Sequence, residues 1–353
     1  MPNTRQRAAA VATAIGVASA AIGAATAAFG QSAVTPPKQA ASADGEWSSL
    51  ITPLQLHRRL EQPNLLILDV RSANEYSAEH IPGAINLPGV QWRTPATKNP
   101  AVEGPGQRIF RQADGSVDVA RYEALLGGAG IKPEYEVVVY GNQAGKADGS
   151  VPAAILIKLG HARVAFLDGI GLERWKQAGY EIATDKKVLP ATKYVAKADP
   201  KRLWSYQDVL KNLNNEDVIF IDSRTPAEYA GQDLRGNKRG GHIPGAKLLN
   251  NEDLVDKVTG TTISREAAKA KVEALIPKGK TVVVYCQSGT RCSHEELILK
   301  DLGYENVVLY DASFQEWSNL DNTPVEKSVE SPSAPPKSDK VQQPGKAAKP
   351  GNP

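Results

Sequence analysis

The sequence predicts an α/β protein made of two copies of one unit, each a parallel β-sheet flanked by helices. Three observations carry this. Short apolar runs rich in β-branched residues have the composition of buried strands. Helical stretches that end at Leu-Gly separate them, so strand and helix alternate as parallel sheets require. The whole series then returns once, in the same order.

The first shared element is Leu65-Leu66-Ile67-Leu68-Asp69-Val70-Arg71, repeated as Val218-Ile219-Phe220-Ile221-Asp222-Ser223-Arg224. Each is a buried strand ending on Asp-x-Arg, and the aspartates are expected to cap turns or pair with Arg71 and Arg224. Glu75-Tyr76 and Glu228-Tyr229 follow at equal offset. His80-Ile81-Pro82-Gly83-Ala84 returns as His242-Ile243-Pro244-Gly245-Ala246, where Pro-Gly marks a turn. Because both copies keep the histidine, His80 and His242 read as turn-forming rather than basic groups. Glu136-Val137-Val138-Val139-Tyr140 and Thr281-Val282-Val283-Val284-Tyr285 are strongly β-prone and predict central strands. Each leads into a helix that closes at Leu159-Gly160 or Leu302-Gly303, with glycine at the C-terminal cap. Val164–Asp168 and Val307–Asp311 supply a further strand, and Trp175 and Trp317 end the copies as core or cleft walls. The domains are placed at 46–190 and 200–326, joined by Lys186–Pro200.

A chain of 353 residues accommodates two such cores plus extensions. The net charge of +3 comes without a basic stripe, which argues against nucleic acid as a partner. Arg5 and Arg7 precede an Ala-rich apolar run from Ala8 to Phe29, so residues 1–33 read as a secretory signal or an uncleaved anchor. The protein is therefore expected to be exported to the periplasm, with no membrane association beyond that segment. Residues 328–353 are rich in Ser, Pro, Lys and Gly and predict a disordered tail. The 2 cysteines, Cys286 and Cys292, form neither a disulfide framework nor a zinc ligand set. No cofactor motif accompanies them.

The Asp-x-Arg strand, the Glu-Tyr and His-Ile-Pro-Gly-Ala segments, and the Val-Val-Val-Tyr-Cys run together resemble the rhodanese family, over nearly all of residues 50–325 and twice in the family's order. The resemblance implies two tandem rhodanese-like domains, similar to thiosulfate and mercaptopyruvate sulfurtransferases. It also implies a silent first domain and a second that passes sulfur through a persulfide on Cys286. The first copy has Gly141 in the cysteine's place, followed by Asn142–Lys146, and is expected to be a scaffold forming one wall of a cleft.

Cys286-Gln287-Ser288-Gly289-Thr290-Arg291 lies where a buried strand meets a helix. Loop amides and a helix N-terminus there favour an anion. A free thiol with a pKa of about 8.5 is only a few per cent ionised at pH 7, and lowering it by about two takes roughly 2.7 kcal/mol. One helix terminus supplies about 0.3–1 kcal/mol, so the amides and Arg291 must furnish the rest. Gln287, Ser288, Gly289, Thr290, Arg291 and Arg235 are the expected substrate-binding residues. The partners implied are a small anionic sulfur donor and a thiol or cyanide acceptor.

Donor identity stays open. Thiosulfate enzymes place basic residues after the cysteine, whereas Ser288 and Arg235 resemble the mercaptopyruvate enzymes. Glu228 falls near a further arginine of that pattern, where a carboxylate would repel an anion; Arg291 could supply the missing charge. A cysteine phosphatase or arsenate reductase, and a non-catalytic exported binding protein, are the rival readings. Phosphatase loops put arginine six residues after the cysteine, the position that Cys292 occupies here. Cys292 reads as a small packed residue able to close a disulfide with Cys286, and His294 as a helix-surface histidine.

Overall fold

The repeated apolar runs form the inner strands of two parallel sheets. The computed structural model describes residues 47–93, 118–141 and 149–327. The signal or anchor segment, the C-terminal tail and Asn142–Lys146 lie outside them.

In the first copy the elements are β1 (Leu50–Ile51), α1 (Pro53–His57), β2 (Leu65–Asp69), α2 (Ala73–Ala78), β3 (Ile85–Asn86), α3 (Val119–Gly128), β4 (Glu136–Tyr140), α4 (Ser150–Lys158), β5 (Arg163–Leu167) and α5 (Gly171–Gln177). The second has α6 (Tyr206–Lys211), β6 (Val218–Asp222), α7 (Pro226–Tyr229), β7 (Lys247–Leu248), α8 (Arg265–Glu273), β8 (Thr281–Tyr285), α9 (Thr290–Asp301), β9 (Val307–Leu309) and α10 (Ser313–Asn319). Strand orders are β1-β5-β4-β2-β3 and β7-β6-β8-β9, and every pairing is parallel. Leu203 bridges Leu309 in parallel, standing where β1 stands in the first sheet. Val137–Val139 and Val282–Val284 are fully buried, the reason these strands are continuous apolar runs instead of alternating ones.

The shared polar residues brace each copy identically. Arg71 Nη2 donates to Asp69 Oδ2 at 2.6 Å and to the Glu79 carbonyl at 2.6 Å. Arg224 does the same to Asp222 Oδ2 and the Gly241 carbonyl at 2.6 and 2.7 Å. His80 Nδ1 meets the Tyr76 carbonyl at 2.8 Å and His242 Nδ1 the Tyr229 carbonyl at 2.9 Å, so both histidines are turn braces. Trp175 and Trp317 are fully buried in the cores.

The connector is lashed to the first copy. Thr192 N donates to the Gly127 carbonyl and Lys197 N to the Leu159 carbonyl, each at 2.8 Å.

Both copies belong to one compact unit. Helix α4 packs against α9, which is buried from Cys292 to Leu299 although half of those side chains are polar. At this seam the Lys158 ammonium lies 2.5 Å from Glu296 Oε1, both side chains almost wholly buried. Lys158 also donates to the Val307 carbonyl at 3.2 Å.

Candidate active site

Strand β8 delivers Cys286 to the carboxyl edge of the second sheet, where open α/β sheets form their binding crevices. Gly289 then turns the chain into α9 with φ of 84°, a left-handed conformation that glycine adopts without Cβ strain. No side chain caps this helix, so its first amides remain available.

The amides divide into two sets. Those of Cys286 and Gly289 donate to Ser313 Oγ at 3.2 and 3.1 Å, and that hydroxyl donates to the Tyr310 carbonyl at 3.0 Å. Phe314 N and Gln315 N hold the Cys286 and Gln287 carbonyls, both at 3.0 Å. The amides of Ser288 and Cys292 face the Cys286 sulfur, as does the Cys292 thiol. Burial is the largest single influence on Cys286 and opposes its ionisation. The Cys292 thiol, the Arg291 charge and the two amides outweigh it and hold the thiol well below its ordinary pKa. Burial and the neighbouring Cys286 anion push the Cys292 thiol the other way, well up. The two thiols are thus pushed in opposite directions, Cys286 toward the anion and Cys292 toward the neutral proton donor.

Cys286 is only 1 % exposed, at the foot of a cleft of about 760 Å³. Gln287, Ser288, Thr290, Arg291 and Arg235 also line it. Gln287 exchanges two amide hydrogen bonds with Asn237, at 3.0 and 3.1 Å, which fixes its side chain. Thr290 Oγ1 accepts from Arg93 Nη2 of the first copy at 2.6 Å, and the Ser288 carbonyl from Arg93 Nη1 at 3.4 Å. Arg235 is exposed, with φ of 49° and its Nε 3.8 Å from Glu228 Oε1.

Four expectations change. Glu228 does not stand against an incoming anion as a lone carboxylate: Arg291 grips both its oxygens, Nη1 to Oε2 at 2.6 Å and Nη2 to Oε1 at 2.8 Å. Although burial disfavours the charge, this pairing brings the Glu228 carboxyl down to about 2. Arg291 is correspondingly not a free cation for substrate, though its charge still reaches Cys286. His294 is not on the surface. It is fully buried, with Nδ1 3.2 Å from Asn251 Nδ2 and Nε2 3.4 Å from Thr262 Oγ1 of its own copy, and with Phe166 of the other copy edge-on to its ring. Finally, the described wall of the cleft is made of second-copy residues, and the first copy acts on it from behind through Arg93 and Asp168.

Ser313 escaped the sequence reading. The repeat held a signal for it: Gly171 opens α5 as Ser313 opens α10, each four residues before its tryptophan. A Cβ at Gly171 would lie 2.8 Å from Tyr140 Cβ and 2.9 Å from the Gly141 carbonyl oxygen. The first copy thus lacks both the cysteine and the hydroxyl that holds the cysteine's loop.

A buried cysteine at a strand end, faced by amides and backed by a helix, in a duplicated parallel-sheet fold marks the chain as an α/β enzyme of the kind that carries a cysteine at this place in its second copy. The chain belongs to the rhodanese family: the Rhodanese-like domain matches residues 52–178 and 205–320. It is 32% identical over 286 residues to the thiosulfate sulfurtransferase of Pseudomonas aeruginosa, covering 78% of this chain and 96% of that protein. The thiosulfate sulfurtransferase of Azotobacter vinelandii is 29% identical over 277 residues, with the same coverage of 78% and 96%. Among solved structures, YnjE superposes with a TM-score of 0.66 at 23% identity, covering 80% of this chain and 69% of that one. An EanB variant bound to hercynine superposes equally well, with a TM-score of 0.66 and 23% identity over 80% of this chain and 70% of the other, a likeness of fold.

Proposed function

We propose that this sulfurtransferase moves the outer sulfur of thiosulfate to a thiol or cyanide through a persulfide on Cys286. The observation that carries the reading is the Cys286 sulfur itself, met by two backbone N–H groups and one thiol that, with the Arg291 charge, favour its anion against the opposing effect of burial. In the first half-reaction the thiolate attacks the sulfane sulfur. A new S–S bond forms, the bond to the sulfonate breaks, and sulfite leaves with the electron pair. The persulfide is again an anion and uses the same cradle. In the second, the acceptor attacks the outer sulfur and the Cys286 thiolate departs. Two displacements at one nucleophile give ping-pong kinetics.

Arg291 bears on the phosphatase alternative. Both its Nη atoms are committed to Glu228, so it offers no free fork to a phosphoryl group. The small anionic donor and the thiophilic acceptor are the partners this chemistry requires.

The test is mass spectrometry after thiosulfate treatment. Cys286 should gain one sulfur, about 32 Da, with stoichiometric sulfite release, and Cys286→Ser should abolish both. Hydrolysis of an aryl phosphate without sulfite release would overturn the reading, and mercaptopyruvate run in parallel ranks the donors. We further propose that the chain works after export. Among the described residues no helix is long and apolar enough to cross a membrane, and the intact mass of the native protein tests whether residues 1–33 are removed.

A further inference from the structure

An anionic donor must approach a thiolate, so the cleft needs positive charge that is not already neutralised. Arg291 is spent on Glu228, and Arg235 has that same carboxylate 3.8 Å away. Asp233 and Glu252 add negative charge to the lining. The remaining cation there is Lys257, which is exposed and has no ion pair among the described residues.

Lys257 sits in a loop with unusual support. Val255 and Thr262 form an antiparallel bridge at its base. Asp256 Oδ1 accepts from Val258 N at 2.9 Å, Thr259 N at 2.8 Å and Thr259 Oγ1 at 3.0 Å, which closes the loop into a hydrogen-bonded turn. Its anchor comes from the other copy. Asp168, at the end of β5, accepts from Thr262 N at 3.0 and 3.1 Å and from Thr262 Oγ1 at 3.0 Å, with both residues buried. Gly169 permits the approach: its φ is +95°, and a Cβ there would meet Thr261 Cγ2 at 3.0 Å. Thr262 Oγ1 also touches His294 Nε2, so the anchor, the loop and the helix behind Cys286 share one network.

We propose that Lys257 is the substrate-contacting cation that selects anionic sulfur donors, and that Asp168 of the copy without a cysteine is the positioning residue that holds its loop at the cleft. The copy that cannot form a persulfide thereby shapes substrate binding in the one that can. This rests on the sulfurtransfer reading, and it assigns to the loop what that reading leaves open, the charge that recognises the donor.

The test uses the full chain with thiosulfate and cyanide at low and high ionic strength. Lys257→Ala should raise the thiosulfate KM about tenfold with kcat little altered, and should flatten the salt dependence of kcat/KM. Lys257→Arg should restore both. Asp168→Asn should raise KM in the same direction, and Thr262→Val, which keeps the N–H contacts, should do so more weakly. A KM and salt slope unchanged in Lys257→Ala would overturn the assignment, and an Asp168→Asn variant that loses thermal stability but keeps the parental KM would overturn the positioning role. Calorimetry of thiosulfate binding to Cys286→Ser, with and without Lys257→Ala, separates the two readings. Binding weakened by Lys257→Ala alongside a parent that forms no persulfide would leave the anion site standing and remove the sulfurtransfer reading.

Discussion

At the scale of single residues, two neighbouring sulfurs are pushed toward opposite protonation states. The surroundings favour the anion of Cys286 and the neutral thiol of Cys292 beside it. A peroxide oxidises thiolates selectively, so mild treatment should convert Cys286 to a sulfenic acid, which Cys292 condenses with, losing water and closing a disulfide. We predict a fall of two titratable thiols with loss of activity, both restored by a dithiol reductant; in Cys292→Ser, with no thiol to trap the sulfenic acid, a second equivalent of peroxide should carry Cys286 to the sulfinic acid, and activity should then not return. A thiol count that stays at two would remove the idea. The ionisation itself makes a second prediction. Alkylation of Cys286 by iodoacetamide should still proceed at pH values well under 8, and Arg291→Ala should move that profile upward.

At the scale of elements, the turn between β9 and α10 fixes the cysteine loop. Ser313→Ala strips the acceptor from two amides, those of Cys286 and Gly289, at a cost of roughly 2 kcal/mol. The expected outcome is a lower melting temperature together with slower persulfide formation at saturating thiosulfate; unchanged single-turnover rates would show the turn to be dispensable. This element also marks where the sequence stopped being legible. The strands were readable because parallel strands covered on both faces are unbroken apolar runs, as Val282–Val284 are. The loop after Tyr285 was readable because cysteine, glycine and arginine at a strand end have few structural uses. Ser313 was not, since its role arises from a contact across 27 positions that no local pattern announces. His294 was misplaced for a related reason: Ser293, Glu295 and Glu296 surround it with residues that usually face water, and their burial rests on partners distant in sequence, Lys158 of the other copy for Glu296 and Asn251 and Thr262 for His294.

At the scale of the whole molecule, the seam between the copies should govern stability. Lys158→Met leaves Glu296 buried without its cation and should cost about 3 kcal/mol, seen as an earlier denaturant midpoint; adding Glu296→Leu should recover much of it. Acidity should act at the same seam. Burial lowers His294 from 6.5 to about 4, so between those pH values the unfolded chain takes up a proton that the folded one refuses. Stability from this residue is full above pH 6.5 and declines as pH falls toward 4, by about 3 kcal/mol at most. Denaturant melts of the parent and His294→Gln across that range would test it, since the variant should lack this part of the slope.

Helix α9 carries serine, histidine and two glutamates into an interior that α4 of the other copy helps to close. Cut from its companion, the later half would bare that flank, leaving the Glu296 carboxylate without Lys158 and Thr262 without Asp168. A gene trimmed to the catalytic half should therefore yield aggregates in place of a minimal enzyme. Supplying the missing half as a separate chain is the direct route to rescue, with activity returning in proportion to the amount added.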